Sequence, residues 1–171
     1  MPHKRLFVLR HAKSSWEEPG LDDHERPLAP RGRRAVKLLA EHIRDSGISP
    51  DLVLCSSARR TRETLEGIAP GGETVIEADL YSASASEIIE RLRIVPEEVE
   101  SVMVIGHNPA LQTLVLRLVG TLAVSDGSHL AEVQRKFPTG ALATLSLECA
   151  WSELAPRRAR FDAYVRPKSL H

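Results

Sequence analysis

The chain has 171 residues, 23 basic and 23 acidic side chains, and an aromatic content of 4%. Balanced charge gives no indication that nucleic acid or a membrane is a partner, and so few aromatic residues do not make a base-stacking surface. No apolar run reaches the roughly 18 residues of a membrane helix, and the N-terminal apolar stretch is too short for a signal peptide. The two cysteines lie far apart, which favours a cytoplasmic location. We expect a single domain over residues 1–171.

The first half of the chain predicts alternating strands and helices. The predicted elements are a buried strand at 4–9, a loop at 12–30, a helix at 31–46, a strand at 51–55 and a helix from Ala58. The first helix has an apolar stripe at the spacing i, i+3, i+4, i+7, i+8. Its members are Ala35, Leu38, Leu39, His42 and Ile43.

The second half continues the alternation. Ser84 and Glu87 form a capping-box pattern that opens a short helix, and Asn108 with Pro109 is typical of the start of another. The remaining predicted elements are strands at 75–78, 101–105, 141–147 and 161–165 and a short helix at 128–136. Alternating strands and helices predict an α/β protein, a three-layer α/β/α sandwich with a mostly parallel central sheet.

Two predicted strands end in histidines. The first runs directly into Arg10 and His11, and the strand at 101–105 ends in Gly106 and His107. In open α/β sheets, ligands bind just beyond the carboxyl ends of the strands. We therefore expect Arg10, His11 and His107 to share one site.

His11 has the chemistry of a nucleophile. Its unperturbed pKa of about 6.5 leaves the imidazole largely neutral at cellular pH, and attack on phosphorus would give a covalent phosphohistidine. The alternative is a histidine that only packs or caps. Arg10 favours the first interpretation, because packing alone does not explain a positively charged side chain at the end of a buried strand.

The segment after the second strand is rich in arginine. Arg59 with Glu63, and Arg62 with Glu66, have the i, i+4 spacing of ion pairs on a helix. This leaves Arg60 as the best ligand for an oxyanion, since its planar fork binds phosphate bidentately. The alternative is a solvated basic helix face.

Two other chemistries are disfavoured. A cysteine phosphatase loop needs an arginine six positions after its cysteine, and Thr61 occupies that position after Cys55; Cys55 is therefore interpreted as a small buried hydrophobe. The cluster Asp22-Asp23-His24 is a weak metal pattern that we interpret as a solvated loop. We expect no metal and no cofactor.

These motifs resemble the histidine phosphatase superfamily, the phosphoglycerate-mutase-like group. The stretch Leu9-Arg10-His11-Ala12 is similar to its Arg-His-Gly signature, with Ala12 in place of the glycine. Its pattern of serine, arginine and threonine falls on Ser56, Arg60, Thr61 and Thr64, and its second histidine on His107. The segments Arg26-Pro27-Leu28, Gly106-His107-Asn108-Pro109 and Pro138-Thr139-Gly140-Ala141 resemble the SixA type, the phosphohistidine phosphatases.

The resemblance implies a role for each matched residue. His11 would be the nucleophile, while Arg10, Arg60 and His107 would hold the phosphoryl oxygens without a metal. It also implies substrate-binding roles for Ser14 and Arg26. The implied fold is phosphoglycerate-mutase-like.

The general acid is the least defined part of the site. Larger relatives use a glutamate after the third strand as the general acid, and the residue that this chain offers there is Asp79.

We therefore expect a phosphatase that acts on phosphohistidine in a protein. The alternatives are a small-molecule phosphomonoesterase with the same site and a non-catalytic phosphate-binding module. The expected partner is a phosphorylated protein or a small phosphate ester, with no nucleic acid and no membrane.

Overall fold

The computed structural model describes residues 3–120 and 129–170, which form one sheet with helices on both faces. The strands are β1 (Lys4–Arg10), β2 (Leu52–Ser56), β3 (Glu73–Glu77), β4 (Ser101–Gly106), β5 (Leu142–Leu147) and β6 (Ala159–Val165). The helices are α1 (Pro30–Asp45), α2 (Arg59–Ile68), α3 (Ala85–Arg93), α4 (Ala110–Val119) and α5 (His129–Arg135). Residue 128 of the helix predicted at 128–136 lies outside the described residues.

The sheet has the strand order β3-β2-β4-β1-β5-β6. The pairs β3–β2, β2–β4 and β4–β1 are parallel, whereas β5 runs antiparallel to both of its neighbours. The prediction of a mostly parallel sheet is confirmed. Because β2, β4 and β1 are adjacent and parallel, their carboxyl ends meet at one edge.

Side chains alternate between two apolar cores along the central strands. Leu6 and Val8 of β1 pack in the core that α3, α4 and α5 cover. Phe7 and Leu9 pack in the core that α1 and α2 cover. Burial on both faces explains the continuous apolar runs of these strands, and the three-layer sandwich is confirmed.

The buried face of α1 differs from the predicted stripe. Leu39 and Ile43 are buried as expected, but Gly32 and Val36 complete the face instead of Ala35, Leu38 and His42. The reason is a close approach by the preceding loop: a Cβ at Gly32 would lie 2.1 Å from the carbonyl oxygen of Lys13. Only a glycine leaves room for the Lys13 backbone at this position, so the side of α1 that carries Gly32 packs against the protein rather than facing solvent.

The predicted cap of α3 is present, whereas α4 begins one residue later than predicted, with Pro109 rather than Asn108 at its N-cap position. Ser84 Oγ accepts from the Glu87 amide at 3.1 Å, and the Glu87 carboxylate accepts from the Ser84 amide at 3.0 Å, so α3 begins with the capping box. Asn108 Oδ1 accepts from the Gln112 amide at 3.3 Å. Of the helices within 3–120 and 129–170, none is long and apolar enough to cross a bilayer.

Candidate active site

A cavity of about 280 Å³ opens beyond the carboxyl ends of β1 and β4. The structure brings six of the seven predicted site residues to it. Its lining is Arg10, His11, Lys13, Ser14, Trp16, Arg26, Arg60, His107, Asn108 and Thr139. The seventh predicted residue, Asp79, does not line it.

His11 is the most buried histidine at this cavity, with 5% of its surface exposed. Its Nδ1 lies 2.7 Å from the carbonyl oxygen of Ala12. A carbonyl only accepts, so Nδ1 carries the proton and Nε2 keeps its lone pair. Burial lowers the pKa of His11 to about 3, and the charges of Arg60 and Arg10 also act in this direction. The ring is neutral with its nucleophilic nitrogen unprotonated.

His107 lies beside His11, with the two ring centroids 5.3 Å apart. Its Nε2 is 2.7 Å from Ser56 Oγ, and its Nδ1 is 3.4 Å from Arg60 Nη2, which donates. Burial and the positive charge of Arg60 lower the pKa of His107 to about 4. Ser56, at the end of β2, thereby positions the second histidine. Its hydroxyl can donate or accept, so it accommodates either tautomer.

Arg60 lies at the N-terminus of α2; as expected it has no i, i+4 partner on the helix, but it pairs with a carboxylate from elsewhere in the chain. Its Nη2 donates to Asp23 Oδ2 at 3.2 Å and its Nη1 donates to the Asp23 carbonyl at 2.8 Å. A helix pattern cannot reveal this partner because Asp23 comes from the loop before α1. The hydrogen bond from Tyr81, together with the charge of Arg60, lowers the pKa of Asp23 to about 2.

Arg10 reaches the cavity from the end of β1. Its Nη1 donates to the carbonyl of Phe137 at 3.1 Å, and the Asn108 side-chain amide donates to the same oxygen at 2.8 Å. The Nε atoms of Arg10 and Arg60 are buried and have no hydrogen-bond partner among the described residues. The two guanidinium groups are thus held in place while retaining donor capacity.

Arg26 and Ser14 bond to each other at the rim. Arg26 Nη1 donates to Ser14 Oγ at 2.9 Å and to the Ser15 carbonyl at 3.2 Å. Arg26 Nε donates to Asp23 Oδ1 at 3.1 Å. Both predicted residues line the cavity, and they also fix the loop that carries Asp23.

Asp79, the predicted general acid, does not lie at the predicted site. It is exposed and lies in a 3₁₀ turn, Ala78–Tyr81, where it lines a different cavity together with Glu77 and Arg91. Tyr81, two residues further on, is the side chain that turns toward the site. Its hydroxyl donates to Asp23 Oδ2 at 2.5 Å and its ring lies 5.6 Å from that of His107.

The remaining arginines of α2 follow the prediction only in part. Arg59 pairs with Glu63 at 3.3 Å as expected. Arg62 instead approaches Glu25, in the loop before α1, at 3.9 Å, and it donates to the Ser57 carbonyl.

Cys55 is fully buried, and burial raises its pKa to about 12, as suits a packing residue. The described ranges contain no cluster of three or more metal-binding side chains.

Sequence reasoning missed Asp23, Tyr81 and the bond between Ser56 and His107. Asp22-Asp23-His24 was interpreted as a solvated loop, and the side chain of Asp23 is indeed 46% exposed. The available signal was the i, i+3 spacing of Asp23 and Arg26, which form an ion pair at 3.1 Å. Nothing local in the sequence indicates the contacts of Asp23 with Arg60 and Tyr81.

The rings of His11 and His107, an arginine at a strand end and another at a helix start form a cationic pocket that can hold a phosphoryl group. A model of the histidine phosphatase superfamily (branch 1) matches residues 6–83. The chain belongs to this superfamily and is a phosphatase.

The chain is also similar to a relative of known sequence and to two solved structures. An uncharacterized protein of Mycobacterium tuberculosis is 32% identical over 160 residues, covering 94% of this chain and 100% of the relative. A structure assigned as the phosphohistidine phosphatase SixA from Nakamurella multipartitia is 30% identical, with a TM-score of 0.86 over 98% of both chains. One with the same assignment from Agrobacterium tumefaciens is 30% identical, with a TM-score of 0.80, over 98% of this chain and 100% of that one.

Proposed function

We propose that this phosphatase hydrolyses phosphohistidine in a protein through a covalent phosphohistidine on His11. In the first step, the Nε2 lone pair of His11 attacks phosphorus and the P–N bond of the substrate breaks. The bonding electrons return to the substrate ring, which leaves as neutral imidazole because its other nitrogen is protonated. In the second step, water attacks phosphorus, the bond to Nε2 breaks, and both protons of the water leave with the phosphate.

The state of His11 supports its role as the nucleophile. The Ala12 carbonyl fixes the proton on Nδ1, so no base is needed to free Nε2. A pKa of about 3 means that the free enzyme holds this ring neutral throughout the physiological range. Covalent catalysis then divides one difficult displacement into two easier ones.

The cations around His11 support the binding of phosphoryl oxygens. Arg10 and Arg60 approach the cavity from two different elements and are held by backbone carbonyls. His107 lies next to the nucleophile, with its ring centroid 5.3 Å from that of His11. Preorganised donors of this kind stabilise the charge that develops in the transition state.

One observation favours phosphohistidine over alcohol phosphates: among residues 3–120 and 129–170, no carboxylic acid at this site is held protonated. Asp23 has a pKa of about 2 and is ionised at neutral pH, and Asp79 lies outside the cavity. Expelling an alkoxide without a general acid costs typically 10²–10⁴-fold in rate. A phosphohistidine substrate needs no general acid, because a ring that is protonated on its other nitrogen leaves as neutral imidazole.

The test is a comparison of kcat/KM for a histidine-phosphorylated protein, a sugar phosphate and p-nitrophenyl phosphate. We expect the phosphohistidine protein to be preferred over the sugar phosphate by at least about 100-fold, the lower range of a missing general acid. The control variant Asp79→Asn should leave every value unchanged. A sugar phosphate turned over as well as phosphohistidine would favour the small-molecule phosphomonoesterase.

A further inference from the structure

Trp16 is a large apolar side chain left open to solvent at the rim of the catalytic cavity. It is 75% exposed, whereas the other tryptophan, Trp151, is completely buried. Trp16 lines the same cavity as His11. Exposed aromatic residues near a functional site commonly mark contact surfaces, because covering an indole removes a large apolar area from water.

The indole is held in a fixed orientation from one side. The Cζ atom of Arg26 lies 3.4 Å from the ring centroid of Trp16, close enough for cation–π stacking. Arg26 itself is only 7% exposed, and it is bonded to Asp23 and Ser14. One face of Trp16 therefore rests on a buried guanidinium, and in the described part of the chain the other face is free.

The stack is not required to hold Arg26. Three hydrogen bonds, to the Asp23 carboxylate, the Ser14 hydroxyl and the Ser15 carbonyl, already fix this guanidinium. Preorganised aromatic side chains contribute strongly to interfaces because little conformational entropy is lost when they are covered. The free face of Trp16 has the properties of such an anchor.

The space around the cavity favours an occupant larger than a phosphate ester. A second cavity of about 420 Å³ lies next to the catalytic one, and both are lined by His107 and Asn108. Trp16 belongs to the lining of the catalytic cavity only. A phosphoryl group bound at His11 can thus belong to a chain that extends toward both.

We propose that Trp16 is the docking residue for the polypeptide that surrounds the phosphohistidine of a protein substrate. This inference rests on the proposed function and names the surface by which the enzyme distinguishes a protein from a small phosphorylated molecule. The polypeptide next to the phosphohistidine covers the free face of the indole when the phosphoryl group reaches His11. A small molecule that occupies only the phosphoryl site leaves that face uncovered.

The kinetic test compares two substrates with the same type of P–N bond. One is a small tryptophan-free protein with a single phosphorylated surface histidine, and the other is phosphoramidate. We expect Trp16→Ala to raise KM for the protein at least about tenfold, with kcat nearly unchanged, and to leave kcat/KM for phosphoramidate within about threefold. Trp16→Phe should recover most of the loss, because it restores an aromatic face.

The matched control is Ile94→Ala. Ile94 is 73% exposed, similar to Trp16, but it does not line the catalytic cavity. It should leave both substrates unaffected. An equal loss on both substrates in Trp16→Ala would mean that Trp16 serves only the phosphoryl site and would overturn the docking role, as would no loss on either.

Fluorescence gives a second, independent readout. With His11→Ala preventing turnover, the histidine-phosphorylated protein should shift the emission of Trp16 to shorter wavelength, and inorganic phosphate should not. Absence of a shift at saturating protein would contradict docking. A wild-type enzyme that cleaves phosphoramidate but not the protein would overturn the proposed function and the docking role together. Normal cleavage of the protein by Trp16→Ala would overturn docking alone.

Discussion

The carboxylate of Asp23 forms an ion pair with the guanidinium of Arg60, at 3.2 Å and across 37 residues of sequence. The same carboxylate accepts hydrogen bonds from Arg26 and Tyr81. Asp23 therefore connects the loop before α1 to the arginine at the start of α2. Arg60 is oriented by a residue that does not itself line the cavity.

Asp23 is expected to act as a positioning residue. Asp23→Ala removes a charge-assisted hydrogen bond worth about 1.5–3 kcal/mol, so kcat/KM should fall roughly 10–100-fold. Asp23→Glu, which keeps the charge, should recover part of the activity. The control is Asp22→Ala at the exposed neighbouring position. Equal kcat/KM values for the two alanine variants would show that Arg60 does not depend on Asp23.

Arg60 and Arg59 are neighbours with different expected effects. Arg60 is 7% exposed and lines the cavity, whereas Arg59 is exposed and pairs with Glu63. Removing one preorganised donor costs about 2.7–4 kcal/mol in the transition state. Arg60→Ala should lose about 100-fold or more in kcat, and Arg59→Ala should remain near wild type. Steady-state kinetics of both variants decide this, and similar losses would contradict the assignment.

His11→Ala is expected to abolish the covalent step and preserve anion binding. Turnover should fall by several orders of magnitude, while tungstate should still bind through Arg10 and Arg60, as measured by calorimetry. An alkaline quench of the wild-type enzyme during turnover should trap phosphate on His11, which mass spectrometry can locate. Retention of more than about a tenth of the activity is incompatible with a nucleophilic His11.

The ring states of His11 and His107 can be followed by NMR. Burial lowers the pKa of these rings to about 3 and about 4, so both should remain neutral as pH falls from 8 to 5. Their signals should show no titration in this range in the free enzyme. A bound dianion favours the protonated form of a nearby imidazole, so saturating phosphate should move the midpoint of His107 upward. A midpoint above pH 6 in the free enzyme would contradict this description.

Metal removal is expected to leave the rate unchanged. The guanidinium groups of Arg10 and Arg60 supply the positive charge that a metal supplies at other phosphoryl-transfer sites. Extended dialysis against EDTA, followed by assay with and without added Mg²⁺ or Zn²⁺, tests this. Loss of activity that either ion restores would show that a cation takes part.

The sequence by itself determined the strands, the layers and the meeting of His11 with His107 at one edge of the sheet. Continuous apolar runs in β1 and β4 predict strands buried on both faces, and parallel neighbours place His11 and His107 at one edge. Spacing alone also predicted Cys55 to be a small buried hydrophobe, and its burial is confirmed. These features depend on local periodicity and on positions directly adjacent to strand ends.

Only the tertiary structure decided which carboxylate belongs to the site. Asp79 follows β3 in the sequence, yet the 3₁₀ turn directs it to another cavity and brings Tyr81 to Asp23 instead. The loop at 12–30 has no periodicity that reports its path, and its contacts with Arg60 span long stretches of chain. The physical reason is that side-chain direction in an irregular segment is set by long-range hydrogen bonds, which no local pattern encodes.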